Sequence, residues 1–563
     1  MISVIHGTYK LIVTVMVDIT NENFEQLWPS IKENIDKAVL IGIDSEFSGI
    51  RSSSKLKNSL FDSMPERYAI QRQNISPFTI TQFGLTAFVR STERANTYVA
   101  HPYNFYLCPP SFGRLDARFS CQASSLQFLR RYRFDFNKFI YGGVPFLREE
   151  DEAILREELR LQMNSGKDRA NVDEHFIQDA CSSVSRWLSG TGAGDPGGSG
   201  SGTVSGSGPG SSWSVDAPDT NLCYLLQKEL RQRFREIWTS AQGNNVLVTR
   251  VTPATRRDLE ATDDLDEQFV STMVGFSRVI RHLRARRKPL VGHNCMLDLM
   301  LIHHLFIAPL PADYHQFKET IHSWFPEVYD TKHIAHTVKD LCPQQVGEQV
   351  NGASLNKLHQ GLTSHTGSTV VLHAPAVVLT DQAARYNEES AHEAGYDAYM
   401  AGFCCLRLAH LLAHKDVTTV DLHRPMSSRE LMSALVPVRN SVNVIRGTVN
   451  HLSLDGPDPV SERPRWFHLA TKGERPLDVT EVVQLLSQYG AVDVRPFSSH
   501  QALVAVGNFR CAKDVMRVFK KDKRYSIAQY NVLKHSPLVR TLLWSSVLVS
   551  GLGAAFLLVQ LRK

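Results

Sequence analysis

Apolar residues fill positions 38 to 43 of KAVLIGIDSEFSGI (37–50) and stop at Asp44, which predicts a buried strand. Helical spacing over 23–36 leads into it. FTITQFGLTAFV (78–89) alternates like a second strand, and TYVAHPYNFYLCP (97–109) reads as a third, ended by Pro109 and Pro110. REEDEAILREELRLQMNS (148–165) is a charged helix. Helical patterns at 172–188 and 221–238 and a strand at 244–252 then form a small inserted α/β module, 172–252, broken by a Gly/Ser-rich run over 189–212. One helix is predicted over 266–287, a strand over 289–294, a helix over 295–306, and a strand followed by a helix within 325–338. A long helix runs over 388–414. Strands early and helices later predict a mixed α/β core, which the inserted module splits into residues 1–171 and 253–420.

Two further patterns follow. Residues 463–533 alternate as strand, helix, strand, strand, helix, strand, which predicts a ferredoxin-like domain. TLLWSSVLVSGLGAAFLLV (541–559) holds 19 residues without a charge, bounded by Arg540, Arg562 and Lys563. At about 1.5 Å per residue it reaches roughly 28 Å, so a C-terminal transmembrane helix is expected, with the rest of the chain on the cytosolic side. The short basic tail suits the mitochondrial outer membrane, with the endoplasmic reticulum as the alternative.

Composition narrows this picture only a little. The 563 residues call for several domains. Lys plus Arg exceed Asp plus Glu by 62 to 57, so any nucleic-acid surface must be a local patch. RHLRARRKP (281–289) could grip phosphates, although a charged helix end is the plainer reading; RVFKKDKRY (517–525) could touch RNA or acidic lipid head groups, and a solvated face is an equal reading. The nine cysteines form no CxxC pair, which argues against a disulfide scaffold or a structural zinc site.

The chemistry gathers in three stretches. In IGIDSEFSG, Asp44 and Glu46 point to one face of the strand. Two carboxylates there repel one another and are costly to desolvate unless a positive charge sits between them, which a divalent metal supplies. In LVGHNCMLDLM, Asp298 lies in the first turn of a helix, as a metal ligand or as a partner of the helix N-terminus. In SAHEAGYDAYMAG, His392 and Asp397 are five apart, about 140° around a helix. They do not share a face, but they can flank a common ligand at a helix end.

Taken in order, Asp44, Glu46, Asp298, His392 and Asp397 resemble the DEDDh branch of the DEDD exonucleases, which have an RNase H-like core. The stretches IDSEFSGI, QFGLTAF, YNFYLCP, CQASSLQFL and FDFNKFIYGGVPFL, VGHNCMLDLM, FPEVYDTKHIA and HEAGYDAYMAG resemble, more closely, the poly(A)-specific ribonuclease family. That resemblance implies a 3′-to-5′ exoribonuclease acting on single-stranded RNA 3′ ends and releasing 5′-nucleotides. It implies that Asp44, Glu46, Asp298 and Asp397 hold two Mg²⁺ ions, which Mn²⁺ can replace, and that His392 takes the proton of the attacking water. Phe47, Ile50 and Lys332 would line the pocket of the terminal nucleotide, and a homodimer is expected.

The chain also departs from that family. The module at 172–252 lacks the Arg-x-x-x-His signature found at that place. The domain at 463–533 stands where the family has its RNA-recognition (RRM) module, yet QALVAVG (501–507) carries no aromatic residue to stack a base. The uncharged C-terminal run favours the membrane-anchored PARN-like branch. Resemblance to that branch implies trimming of piRNA precursors held by a PIWI protein, with a Tudor-KH scaffold as helper. A deadenylase is the near rival, and a non-catalytic, membrane-tethered RNA-binding adaptor is the rival of another class.

Overall fold

Strand β1 (Asp18–Ile19), helix α1 (Phe24–Lys37) and strands β2 (Ala38–Phe47), β3 (Ile80–Arg90) and β4 (Thr97–Tyr106) open the first compact unit of the computed structural model. The structure describes residues 18–162, 171–189, 210–341, 350, 354–363, 373–380, 392–414 and 424–560. The unit spans 1–52, 73–311 and 315–442. After α2 (Ala123–Arg131), the inserted module supplies α3 (Asn171–Ser189), β5 (Ser212–Asp216), α4 (Thr220–Arg233), β6 (Ile237–Gln242) and β7 (Asn245–Arg250). The core resumes with α5 (Leu265–Val274), α6 (Ser277–Arg286), β8 (Leu290–Gly292), α7 (Met296–Ile302), β9 (Val328–Asp330), α8 (Thr331–Leu341), β10 (Ala376–Leu379) and α9 (Ala394–Ala413).

The main sheet has the order β1-β4-β3-β2-β8-β9, and β10 pairs with the other half of the β4 edge. Strand β3 runs antiparallel to both of its neighbours, β2 and β4, whereas β8 runs parallel to both β2 and β9. The result is the mixed α/β sheet expected. Helix α9 crosses the middle of this sheet at the closest approach two backbones allow. A Cβ at Gly42 or Gly84 would strike the carbonyl of Ala398 or Ala394. Spacing of four along α9 matches the two glycines on neighbouring strands, so the helix beds against β2 and β3. Its remaining length buries Met400, Phe403, Cys404, Leu408 and Leu412 against Phe88, Tyr98 and Ile334.

Several predicted spans change. The single helix read over 266–287 is two helices, because Gly275 at φ 40° breaks it. The helical pattern of 221–238 ends at Arg233, and its last residues, Ile237 and Trp238, begin β6. Isoleucine and tryptophan favour the strand they pair in. Most of the Gly/Ser-rich run lies outside the described residues. The module nonetheless has its own core, with Ile177, Val184, Leu226, Leu230, Val246 and Val248 packed between α3, α4 and a three-stranded sheet of order β5-β7-β6.

The second unit consists of 53–72, 312–314 and 443–563. Its sheet is built from β11 (Phe467–Thr471), β12 (Val492–Ser498), β13 (Gln501–Val506) and β14 (Tyr525–Gln529), with α10 (Val479–Ser487) and α11 (Phe509–Phe519) between them. All pairs are antiparallel, in the order β12-β13-β11-β14. Both helices pack on one face, around Leu469, Val482, Leu486, Val504, Val515 and Phe519. Residues 53–72 lie early in sequence yet belong here: Arg67 is buried and donates to the carbonyls of Ile445 and Arg446.

The transmembrane helix expected at 541–559 is not supported. A helix forms there, α12 (Pro537–Gln560), but no helix among the described residues is long and apolar enough to cross a membrane. Within α12 the Ser545 hydroxyl donates back to the Thr541 carbonyl.

Candidate active site

The five residues singled out in the sequence come from four elements of the first unit. Asp44 and Glu46 stand on the α9 side of β2, two and four residues beyond Gly42. Asp298 lies in the first turn of α7 and Asp397 in the first turn of α9. The carboxylates sense one another: the charges of Asp397, Asp298 and Glu46 all act on Asp44, and those of Asp397 and Asp298 act on Glu46. Asp298 is buried, while Asp44, Glu46 and Asp397 keep partial access to solvent.

Each carboxyl is held above its usual range. For Asp44 and Glu46 the first cause is burial, followed by neighbouring negative charge. Burial pushes Asp298 and Asp397 up to about 7, although hydrogen bonds from Ser45 and from the His392 backbone pull the other way. Asp298 Oδ1 and Asp397 Oδ1 are buried with no hydrogen-bond partner. Four acids that repel one another, with two orphaned oxygens, fit the oxygen-rich, highly negative site that a hard divalent cation requires.

His392 departs from expectation. It does not lie in the long helix, which starts only at Ala394. It stands just ahead of it in a left-handed turn, at φ 65°. The 140° argument for one continuous helix therefore does not apply. The turn lets the ring fold back over the helix start, where one ring nitrogen and carboxylate oxygens of Glu46 and Asp397 lie within 4.8 Å of one another. Burial holds the imidazole below its usual pKa, so it is neutral near pH 7 and free to accept a proton.

The start of α9 has no side-chain cap of its own, since Glu393 makes none. Its exposed N–H groups are taken up by the sheet instead. Gln82 Oε1 accepts from Ala394 at 3.0 Å and Asn104 Oδ1 from Gly395 at 3.2 Å. In this way β3 and β4 fix the turn that carries His392 and Asp397.

Phe47 and Ile50 follow Glu46 by continuity; Phe47 is half-buried and Ile50 is 48% exposed. The loop after them is tied down by Gln122, whose Oε1 accepts from the N–H groups of Ile50 and Arg51. Lys332 starts α8, and its charge reaches His293. His293 is itself buried, with its pKa pushed down to about 3 by burial, and its Nδ1 lies 3.0 Å from Thr331 Oγ1.

Two residues were missed. Phe128 and Tyr132, at the end of α2, place their rings 4.9 and 4.0 Å from that of His392 while remaining 37% and 38% exposed. Two aromatics four apart on a short helix were the available signal. The helix itself was not legible, because its other face is mostly polar.

The comparisons with known proteins fit this arrangement. The family model described as "CAF1 family ribonuclease" matches residues 19–405. The chain is 34% identical over 551 residues to the pre-piRNA 3′-exonuclease trimmer of Bombyx mori, covering 97% of this chain and 98% of that one. It is 33% identical over 551 residues to the mouse poly(A)-specific ribonuclease PNLDC1, covering 96% and 99%. Among solved structures, the Mg²⁺- and Mn²⁺-bound form of S. pombe Pop2p covers 72% of this chain and 94% of its own at 13% identity and a TM-score of 0.32, too distant to bear on the site. With a family match across most of its length and near full-length relatives above 30% identity, this chain belongs to the CAF1 family of ribonucleases, in its PARN-like group.

Proposed function

We propose that the chain is a 3′-to-5′ exoribonuclease of the DEDDh type that trims the 3′ ends of small-RNA precursors, piRNA precursors in particular. The observation that carries this is the meeting of Asp44, Glu46, Asp298 and Asp397 at one place, with His392 beside Glu46 and Asp397. The name of the Bombyx relative supports the substrate.

In this reading the four carboxylates hold two divalent cations, Mg²⁺ with Mn²⁺ as a substitute. When bound, such ions supply an activated water and neutralise charge on the leaving oxygen. His392 receives the water's proton on the ring nitrogen that faces Glu46 and Asp397. Phe47, Ile50 and Lys332 hold the terminal nucleotide, and Phe128 and Tyr132 keep the His392 ring over the acids. Presentation of the RNA by a PIWI protein, help from a Tudor-KH scaffold and homodimerisation belong to the same proposal. Attachment at the cytosolic face of the mitochondrial outer membrane, or of the endoplasmic reticulum, is a separate proposal. It rests on the exposed Leu542, Trp544, Val547 and Val549 of α12, and fractionation of the full chain against one lacking 537–563 tests it.

A poly(A) deadenylase is the second reading, favoured by the names of the mouse and zebrafish relatives, both called poly(A)-specific ribonucleases. One experiment separates the readings. The purified chain is given Mg²⁺ and either a 3′-extended RNA of mixed sequence or poly(A), beside an Asp44→Ala twin. A ladder from the 3′ end that the substitution erases supports the exonuclease, and the preferred RNA chooses between trimmer and deadenylase. A folded protein that releases no nucleotide from either RNA, even with the RNA delivered on a PIWI protein, would leave only the adaptor.

A further inference from the structure

The sheet face of the second unit that is free of helices is already covered by the chain itself. Leu60 and Phe61 are buried against Leu503 and Ala505 of β13, with Phe497 and Tyr530 at the margin. The Phe61 ring meets Trp466 at 5.2 Å, and the Arg495 guanidinium lies 4.6 Å over Phe61. Asp493 Oδ2 accepts from the Leu60 N–H at 2.6 Å and from the Ser59 hydroxyl at 3.2 Å. His535 stacks on His468 at 4.4 Å and 11°. The aromatic positions from which a sheet of this topology would stack bases are thus occupied from within the unit.

The opposite side has the reverse character. Helix α11 buries Cys511, Ala512, Val515 and Phe519 against its own sheet. Its outward face carries Arg510, Lys513, Arg517 and Lys520, all exposed, at spacings of three, four and three. Lys521, Lys523 and Arg524 continue the stripe. Between 509 and 525 there are seven Lys and Arg against Asp514 and Asp522, an excess of five, as large as the net charge of the whole chain. Arg517 pairs with Asp514 and Arg524 with Glu481; the others point to solvent. From 510 to 520 the stripe is about 15 Å long, some four nucleotides at about 3.4 Å each.

We propose that this basic face of α11, not the sheet, is where the second unit grips RNA, through the phosphates of a single strand. It rests on the chain handling RNA, which its family membership supplies. An anionic membrane offers the same charge but does not suit the helix. An interfacial helix binds by burying its apolar face in the lipid, and the apolar face of α11 is already spent on the sheet. Phosphates need only the cations, which are spaced along one line.

The test uses the full chain with Asp44→Asn, so that binding is read without cleavage and does not depend on the activity proposed above. Fluorescence anisotropy follows a labelled single-stranded RNA, several times longer than the stripe, across a salt series. K513E/K520E/K521E should weaken binding at least tenfold at low salt. It should also flatten the plot of log affinity against log salt by about 2, since each lost phosphate contact on a single strand contributes about 0.7. K513R/K520R/K521R should bind like the parent, which excludes a folding defect, as should equal melting temperatures. Unchanged affinity and slope in the folded Glu variant would overturn the proposal. So would an RNA slope that stays the same while sedimentation with phosphatidylserine vesicles is lost, since the face would then be a lipid surface.

Discussion

Asp330 Oδ1 accepts the backbone N–H of Asn294 at 2.9 Å, while Oδ2 takes that of Cys295 at 3.2 Å. Oδ1 also receives the N–H of Lys332 at 2.9 Å, and the side chain has no exposure. Asn294 sits in a left-handed conformation at φ 59°, in the turn between β8 and α7. A carboxylate that cannot donate is what such a turn requires, and the turn aims Asp298. Asp330→Asn would set an amide N–H₂ against one of these donors, at a cost of about 1–3 kcal/mol. The expected outcome is a lower melting temperature and a higher Mg²⁺ concentration for half-maximal activity, with the KM for RNA little changed. A variant with wild-type metal dependence would show that the clamp does not bear on Asp298.

His392 is expected to act on the proton, not on the metal. His392→Ala should lower kcat by about 10²–10⁴-fold. Stabilisation of the protein by Mn²⁺, read as a melting shift, should persist through Asp44, Glu46, Asp298 and Asp397. Tyr132→Ala should give a smaller loss in kcat, because the ring 4.0 Å away only holds the imidazole in place. Loss of the Mn²⁺ shift in His392→Ala would instead make the histidine a ligand.

What could be read in the sequence followed from strong local signals. The apolar run that stops at Asp44 read as a buried strand rather than a solvated edge strand, and i, i+2 spacing put Glu46 on the same face as Asp44. Where the pattern failed, a long-range or backbone effect decided. Nothing local in 388–397 marks the left-handed turn at His392, since the N–H groups after it are satisfied by Gln82 and Asn104, 312 and 291 residues away in sequence. Gly275 breaks the helix predicted over 266–287 through a φ of 40°, a backbone effect that the side-chain pattern does not carry. Leu60 and Phe61 form no periodic pattern, because they cover a sheet whose strands begin some 400 residues later. The four acids were legible because each lies at an element end beside apolar sequence; Phe128 and Tyr132 were not, because only the folded turn brings His392 to them.

The close bedding of α9 makes Gly84 a sensitive position. A methyl there would run into the Ala394 carbonyl, at the turn that sets Asp397. Gly84→Ala should destabilise the protein by about 1–3 kcal/mol, as overpacking does, and lower kcat at the same time. Gly473, with nothing near its Cβ position, is the control, and Gly473→Ala should leave both quantities alone. A Gly84→Ala enzyme as stable and active as the parent would mean that the helix has room to lift.

The carboxylate cluster should make the metal-free protein less stable as the pH rises. Asp298 and Asp397 are pushed up to about 7 in the folded chain, against 3.8 for an ordinary aspartate. Between those values the folded state holds protons that the unfolded state has released. Stability from these groups is therefore complete below about 3.8 and is lost as the pH climbs through about 7, at up to about 1.4 kcal/mol per pH unit for each group. At the acid end, Glu430, held down to about 2 by Arg424 and Ser427, opposes the trend, so the window to measure is pH 5 to 8. In the presence of a chelator the melting temperature should fall across it, and Asp298→Asn with Asp397→Asn should flatten the fall. Mg²⁺ should raise the parent's melting temperature at pH 8 by more than the double variant's, because the variant keeps only Asp44 and Glu46 of the four mutually repelling acids. Parallel pH slopes for the two proteins would refute the account, since the burden of burying these acids would then lie elsewhere in the fold.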